Sequence, residues 1–190
     1  MTAKPFRILA LAAFLAPVVA LAEGGNAAMT SFVTKHAREW AADPVISRAL
    51  ASANRRHADL TQAEIDDLDA AWQAEIGAAE TPVIDAVTES EASAILREAV
   101  ADASGRITEI ILMDTRGLNV AISSVTSDYW QGDEAKFLKT VPAGPDAVHR
   151  SEIEFDESMQ IYQVQVSVPV LGAAGDPVGA VTVGLDVDAF

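Results

Sequence analysis

Apolar residues recur with a helical period through the first half of this chain and with a strand period through the second. From Ala27 to Trp40, Phe32, Val33, Ala37 and Trp40 share one face, with His36 among them as a packing residue. Asp43-Pro44 then supplies an N-cap and a first-turn proline. Val45, Ile46, Ala49, Leu50 and Ala53 carry the stripe to Asn54, either as a second helix or as the continuation of one kinked rod. Thr61-Gln62-Ala63-Glu64 is a capping box. It opens a helix whose predicted buried face is Ile65, Leu68, Trp72 and Ile76, with Gly77 as its stop. Pro82 to Val87 is a short turn or helix. Ser90 caps a further helix that turns Ile95, Leu96, Ala99 and Val100 inward and ends near Gly105.

After Gly105 the period changes. Ile107 to Met113 is a strand, Asp114-Thr115-Arg116-Gly117 a turn, and Leu118 to Ser124 a second strand, so the three make a hairpin. Gly132 to Thr140 predicts a short helix and Val148 to Phe155 a third strand. In the segment Gln160 to Leu171, Ile161, Gln163, Gln165 and Ser167 alternate with Tyr162, Val164, Val166 and Val168. Pro177 to Val187 is the last strand. Five antiparallel strands behind an N-terminal helical layer make an α+β domain. No linker or repeat divides it, so 27–104 is the helical part and 106–188 the sheet part of one domain, 23–190.

The first residues set the expected compartment. Lys4 and Arg7 precede an apolar run from Ile8 to Leu21, which closes on the small-x-small site Ala20-Leu21-Ala22 before Glu23-Gly24-Gly25. That order is a secretory signal peptide over 1–22. The run is short for an uncleaved anchor, since a spanning helix needs roughly 20 apolar residues. No second run approaches that length, so the mature protein is expected to have no membrane span and to be periplasmic. The formal net charge is −15, and losing Lys4 and Arg7 with the leader makes it more negative still. Such a surface repels nucleic acid and anionic lipid. The chain has no cysteine, which removes thiol catalysis and iron–sulfur ligation and leaves stability to the core.

Several stretches together resemble the single Cache (PAS-like, PDC) extracellular sensor domains of bacteria. The hairpin Ile110 to Ala121, with its Asp114-x-x-Gly117 turn, is similar to the first strand pair of that family. Thr126 to Phe137 is similar to the loop and helix that cover its pocket. Val168-Pro169-Val170 with Gly175 to Val181 is similar to its final hairpin. The resemblance implies a PAS-like five-stranded antiparallel sheet beside a long N-terminal helical layer. It also implies a non-catalytic module that binds a small organic solute. Family members usually sit in a chemoreceptor or sensor kinase. This sequence ends at Phe190, soon after its last strand, so a membrane sensor kinase or chemoreceptor is expected to carry the signal as a partner. The alternative is a structural or interaction protein with the same fold and no working pocket.

Asp128-Tyr129-Trp130 are the foremost site candidates. Two flat rings with polar handles in a polar loop suit a pocket for a small organic molecule, and the resemblance implies aromatics from this loop. Trp130 could equally plug the open face of the sheet. Ser123 and Tyr162 are candidate hydrogen-bonders from the sheet, although a one-residue slip would reverse their facing. Asp186 on the last strand stands near the acid that meets the ligand amine in amino-acid-binding relatives. The Arg-x-Trp motif that goes with it is missing from the covering loop. Asp128 and Asp186, if both face inward, favour a cationic or zwitterionic solute. Asp128, Asp133 and Glu134 crowd acid together, but their spacing fits no EF-hand loop, so no metal or other cofactor is expected. His36, His57 and His149 are far apart. No nucleophile elbow, zinc helix or phosphate loop is present, and the chain is not expected to be an enzyme. On export, intact-mass spectrometry of the periplasmic fraction should find a mature protein beginning at Glu23; a retained N-terminus embedded in membrane would contradict the cleavage site.

Overall fold

The computed structural model describes residues 16–157 and 160–190, with side chains from Gly24 onward. The charged N-terminus and most of the apolar leader therefore lie outside the described residues. The first helix, α1 (Ala16–Ala42), begins well before the expected Ala27, so the expected cleavage point after Ala22 falls within it. It ends at Asp43, whose side chain accepts from the amides of Val45 and Ile46 and starts α2 (Pro44–His57) as a separate helix. Ile46, Leu50, Ala53 and His57 form the buried stripe of α2. The Thr61–Glu64 capping box is formed and opens α3 (Gln62–Glu75). Ile65 and Trp72 of α3 are buried as expected. Ile76 is 50 % exposed, because the helix ends before it. Two more helices, α4 (Pro82–Thr88) and α5 (Glu91–Asp102), complete the helical half.

The strands are β1 (Ile107–Met113), β2 (Asn119–Ile122), β3 (His149–Arg150), β4 (Glu154–Asp156), β5 (Ile161–Leu171) and β6 (Pro177–Asp186). They form one antiparallel sheet in the order β2-β1-β6-β5-β3, with β4 also paired to β5. The expected single strand from Val148 to Phe155 is thus two short strands along the same neighbour. Between them Ser151 turns its hydroxyl to the amide of Gln165 and donates its own amide to the Gln165 carbonyl. Apart from that interruption, the sheet has the predicted α+β, PAS-like arrangement.

Alternation gives the sheet two different faces. Val164, Val166, Val168 and Val170 of β5 and Val181, Val183 and Leu185 of β6 pack under α1, α2 and α5 in the larger core. On the other face, Ile111, Met113, Ile122 and Ala180 pack with Ile65 and Trp72 of α3, Ile84 and Val87 of α4, and Tyr129 and Phe137 of the covering segment. The remaining part of that face is polar. Ser167 and Thr182 bond to each other while fully buried, Gln163 accepts from Thr108, and Gln165 donates to Glu109. This polar strip is the floor over which a cleft opens.

The β1–β2 turn is fastened to α2. Asp114 is fully buried; one carboxylate oxygen accepts from the amides of Arg116 and Leu118, and the other lies 2.5 Å from Nδ1 of His57. Arg116 in turn donates to the carbonyls of His57, Ala58 and Leu60 at the end of α2. Gly117 has φ 83°, and a Cβ there would lie 2.5 Å from the Gly132 Cα, so the covering segment can cross the turn only at glycine. Asp114→Ala leaves a buried amide and a buried imidazole without their acceptor. Urea unfolding should show a loss of about 3–5 kcal/mol.

Candidate functional site

Residues 124–140 form a strap over the second face of the sheet. Its N-terminal part is held by α3: one oxygen of Asp69 accepts from the amides of both Tyr129 and Trp130, and the indole of Trp72 donates to the Thr126 carbonyl. The middle is held by the β1–β2 turn: Trp130 Nε1 donates to the Arg116 carbonyl, and the Gln131 amide donates to that of Gly117. The strap then closes into one helical turn, α6 (Ala135–Leu138), anchored by buried Phe137.

The expected site residues are placed as follows. The ring of Tyr129, 7 % exposed, stacks on Trp72 at 5.4 Å and meets His57 edge-on. Its hydroxyl is pushed up to a pKa of about 12, first by burial and then by the charge of Asp114. Trp130 is half-buried and packs against the same smaller core. Asp128 uses its carboxylate on Gln73 and Ser127, while its carbonyl accepts from Asn119, Thr126 and Gln131. Ser123 accepts from the Ile110 amide at the edge of β1. Tyr162 is 54 % exposed and lies against its register partner Phe155. Asp186 caps the final 3-10 turn through the Asp188 amide. Asp128, Tyr129 and Trp130 stay together on the strap; Ser123, Tyr162 and Asp186 lie elsewhere. None of the six lines the polar cleft beside α6 or the apolar cleft on the opposite face of the sheet.

A polar cleft of about 300 Å³ lies one turn further along the strap. Glu134, Ala135 and Lys136 form its roof, Gln163 and Gln165 of β5 its floor, and His149, Ser151 and Glu154 its outer wall. The side chain of Lys136 is only 12 % exposed, and its ammonium lies 3.1 Å from Glu134 and 3.0 Å from the Gln131 side-chain oxygen. Buried Gln131 passes the chain of hydrogen bonds back to the carbonyl of Asp128. Burial holds the pKa of His149 below the usual imidazole value, and nearby Lys139 lowers it further. Its ring is therefore neutral at pH 7. The cleft thus offers one cation, two carboxylates and neutral donors and acceptors. Ser151 Oγ is occupied by the Glu152 carbonyl and the Gln165 amide.

Of these residues, Gln163 and Gln165 were signalled in the sequence by their alternation with valines, a polar stripe on an otherwise apolar strand. Tyr162 lies next to Gln163 and, by the two-residue period, on the opposite face. Lys136 and His149 carry no local pattern that marks them, because it is the folding of the strap against β3 that brings them together. Among the described residues, no group of three or more His, Cys, Asp or Glu could hold a metal ion. Nor is any helix among them long and apolar enough to cross a membrane.

No protein-family model matches the chain, and no curated protein matches it. Solved structures similar to it include the sensor domain of the Vibrio cholerae histidine kinase DctB, at 14 % identity over 84 % of this chain and 57 % of that one, with a TM-score of 0.34. The ligand-binding domain of the Pseudomonas aeruginosa PAO1 amino-acid chemoreceptor PctC, in complex with GABA, matches at 14 % identity over 88 % and 62 %, with a TM-score of 0.41. That of the Pseudomonas fluorescens chemoreceptor CtaA, in complex with L-serine, matches at 12 % over 86 % and 62 %, with a TM-score of 0.36. The chain spans less than two thirds of each of these structures. Trp130→Ala removes a half-buried ring and one indole hydrogen bond. It should cost about 2–4 kcal/mol in urea unfolding, about 1 kcal/mol less than a fully buried tryptophan.

Proposed function

We propose that this chain is a periplasmic sensory module that binds a small polar solute in the cleft between α6 and β5 and leaves it chemically unchanged. The observation that carries the reading is Lys136, a nearly buried ammonium held by Gln131 and Glu134 at the roof of a cleft floored by Gln163 and Gln165. A solute carboxylate can reach that ammonium, and a solute ammonium can reach Glu134 or Glu154, so the cleft suits a zwitterion. The carboxylates that favour a positive group are then Glu134 and Glu154, not Asp128 and Asp186, which are engaged elsewhere. Tyr129 and Trp130 serve the site by fixing the strap that carries α6.

A non-catalytic role is supported by the same groups. The hydroxyl of Ser151 is tied to backbone, and the Lys136 ammonium is held by Glu134 and Gln131, a pairing that suits binding of charge. A signal leaves such a module through a partner, for which a membrane sensor kinase or chemoreceptor is the fitting class. A docking role in place of solute binding is favoured by one observation: Ile153, Phe155 and Tyr162 are all large, apolar and exposed around the β4–β5 pairing.

Thermal-shift measurements of the protein against amino acids, amines, carboxylates and purines test the reading, because a ligand of the native state raises the melting temperature by mass action. A zwitterion should give the shift. Lys136→Met should weaken its binding by about 1–3 kcal/mol with little change in the melting temperature of the free protein. No shift from any class, or a shift that Lys136→Met leaves intact, would overturn the assignment of this cleft.

A further inference from the structure

On the opposite face of the sheet a larger cleft, about 650 Å³, opens between α1, α2, the last part of β5 and the loop 145–148. Its origin is the small residues that the two helices turn toward β5. Ala37 and Ala41 of α1 and Ala51 of α2 stand where larger side chains would close the gap, and Val168 and Val170 form the floor. An open cleft of this size holds water against apolar wall, and covering that wall with an apolar group is favourable. Its volume lies within the range of small-molecule sites, roughly 300–1,000 Å³.

The mouth defines the occupant. Val148 and Leu171, both lining the cleft, are 47 % and 39 % exposed, so apolar wall continues out to the rim. Arg38 lines the same cleft from α1, and among the described residues its guanidinium has no ion-pair or hydrogen-bond partner. Its guanidinium is an unclaimed cation beside an apolar channel on a chain whose formal net charge is −15. Asp146, on the loop side of the lining, is the one acidic side chain there. It discourages a second negative charge on the ligand. Of the neutral polar side chains in the lining, Asn54 is committed to the Val178 carbonyl and to Thr115, and Thr34 donates to the Thr30 carbonyl, which leaves the Ser47 hydroxyl beside the apolar wall.

We infer that this cleft is a second binding site, independent of the polar one, for an apolar monocarboxylate whose hydrocarbon body lies over Val168 and Val170 and whose carboxylate meets Arg38. Apolar burial supplies the affinity, and the arginine sets the polarity of the headgroup.

Isothermal titration calorimetry of the full chain with sodium octanoate, octylamine and octanol tests this. Octanoate should bind at one saturable site and more tightly than the other two. Arg38→Met should weaken it by about tenfold, the value of one lost charge-assisted contact. Ala51→Phe fills the cleft from an exposed position of α2, and should weaken octanoate by at least about tenfold, from displaced apolar contact. Urea unfolding of each variant, unchanged from wild type, separates loss of the site from loss of the fold. Lys136→Met should leave octanoate binding as it is. Failure of octanoate to saturate, a preference for octylamine or octanol, full binding by Ala51→Phe, or dependence on Lys136 would each overturn the inference. None of these outcomes bears on zwitterion binding in the polar cleft, so the two readings fail separately.

Discussion

The buried carboxylate of Asp114 ties together parts of the chain that no local interaction would join. It satisfies two amides of its own turn and faces the imidazole of His57, so the β1–β2 hairpin is locked to the end of α2. A buried carboxylate is costly unless its lone pairs are filled. Here three donors fill them, and Arg116 uses the fixed turn to satisfy three carbonyls at the end of α2. With the turn in place, the Arg116 and Gly117 carbonyls receive Trp130 and Gln131, and the strap is set at a fixed height above the sheet. The position of Lys136, and so the polar cleft, follows from a clasp about twenty residues earlier in the chain.

A second carboxylate, Asp69 of α3, explains why the aromatic pair of the strap is built inward. Asp69 fixes both amides of Tyr129 and Trp130, which leaves their rings to the smaller core. Tyr129 closes on Trp72, and Trp130 fits over Gly132, where any side chain would collide with the indole. The strap therefore has two sections. An apolar one fastens it, and a polar one beginning at Gln131 faces the floor of β5. The lining of the polar cleft and the fastening of the strap occupy adjacent residues without sharing side chains.

Both clefts arise from departures in otherwise regular packing. On the strap side, glutamines replace apolar residues on one face of β5, and water or a polar solute is the natural neighbour of such a surface. On the helix side, alanines replace larger residues on α1 and α2, and the gap they leave is apolar. The sheet is closed on both faces near β1 and β6 and open on both near β5, which confines the candidate sites to one side of the molecule.

How much of this was legible depends on the range of the interaction. Helix caps at Asp43, Thr61 and Ser90, the change of period at Gly105 and the hairpin at Asp114 are local. Neighbouring residues carry them, and the sequence alone yields the α+β class and the antiparallel sheet. The interruption of the third strand was not legible, because it depends on Ser151 meeting Gln165 across the sheet. The residues that line the polar cleft are not the ones the sequence singles out. An aromatic pair in a polar loop looks the same whether its rings face a ligand or a core. Only the contact with Trp72, 57 residues away in the chain, decides. Tyr162 and Gln163 differ by a single position, and the period of a strand puts them on opposite faces, so register alone chose between them. Short-range propensity and patterning determined which elements form. Tertiary structure decided which side chains meet, because every side of both clefts comes from a different stretch of the chain.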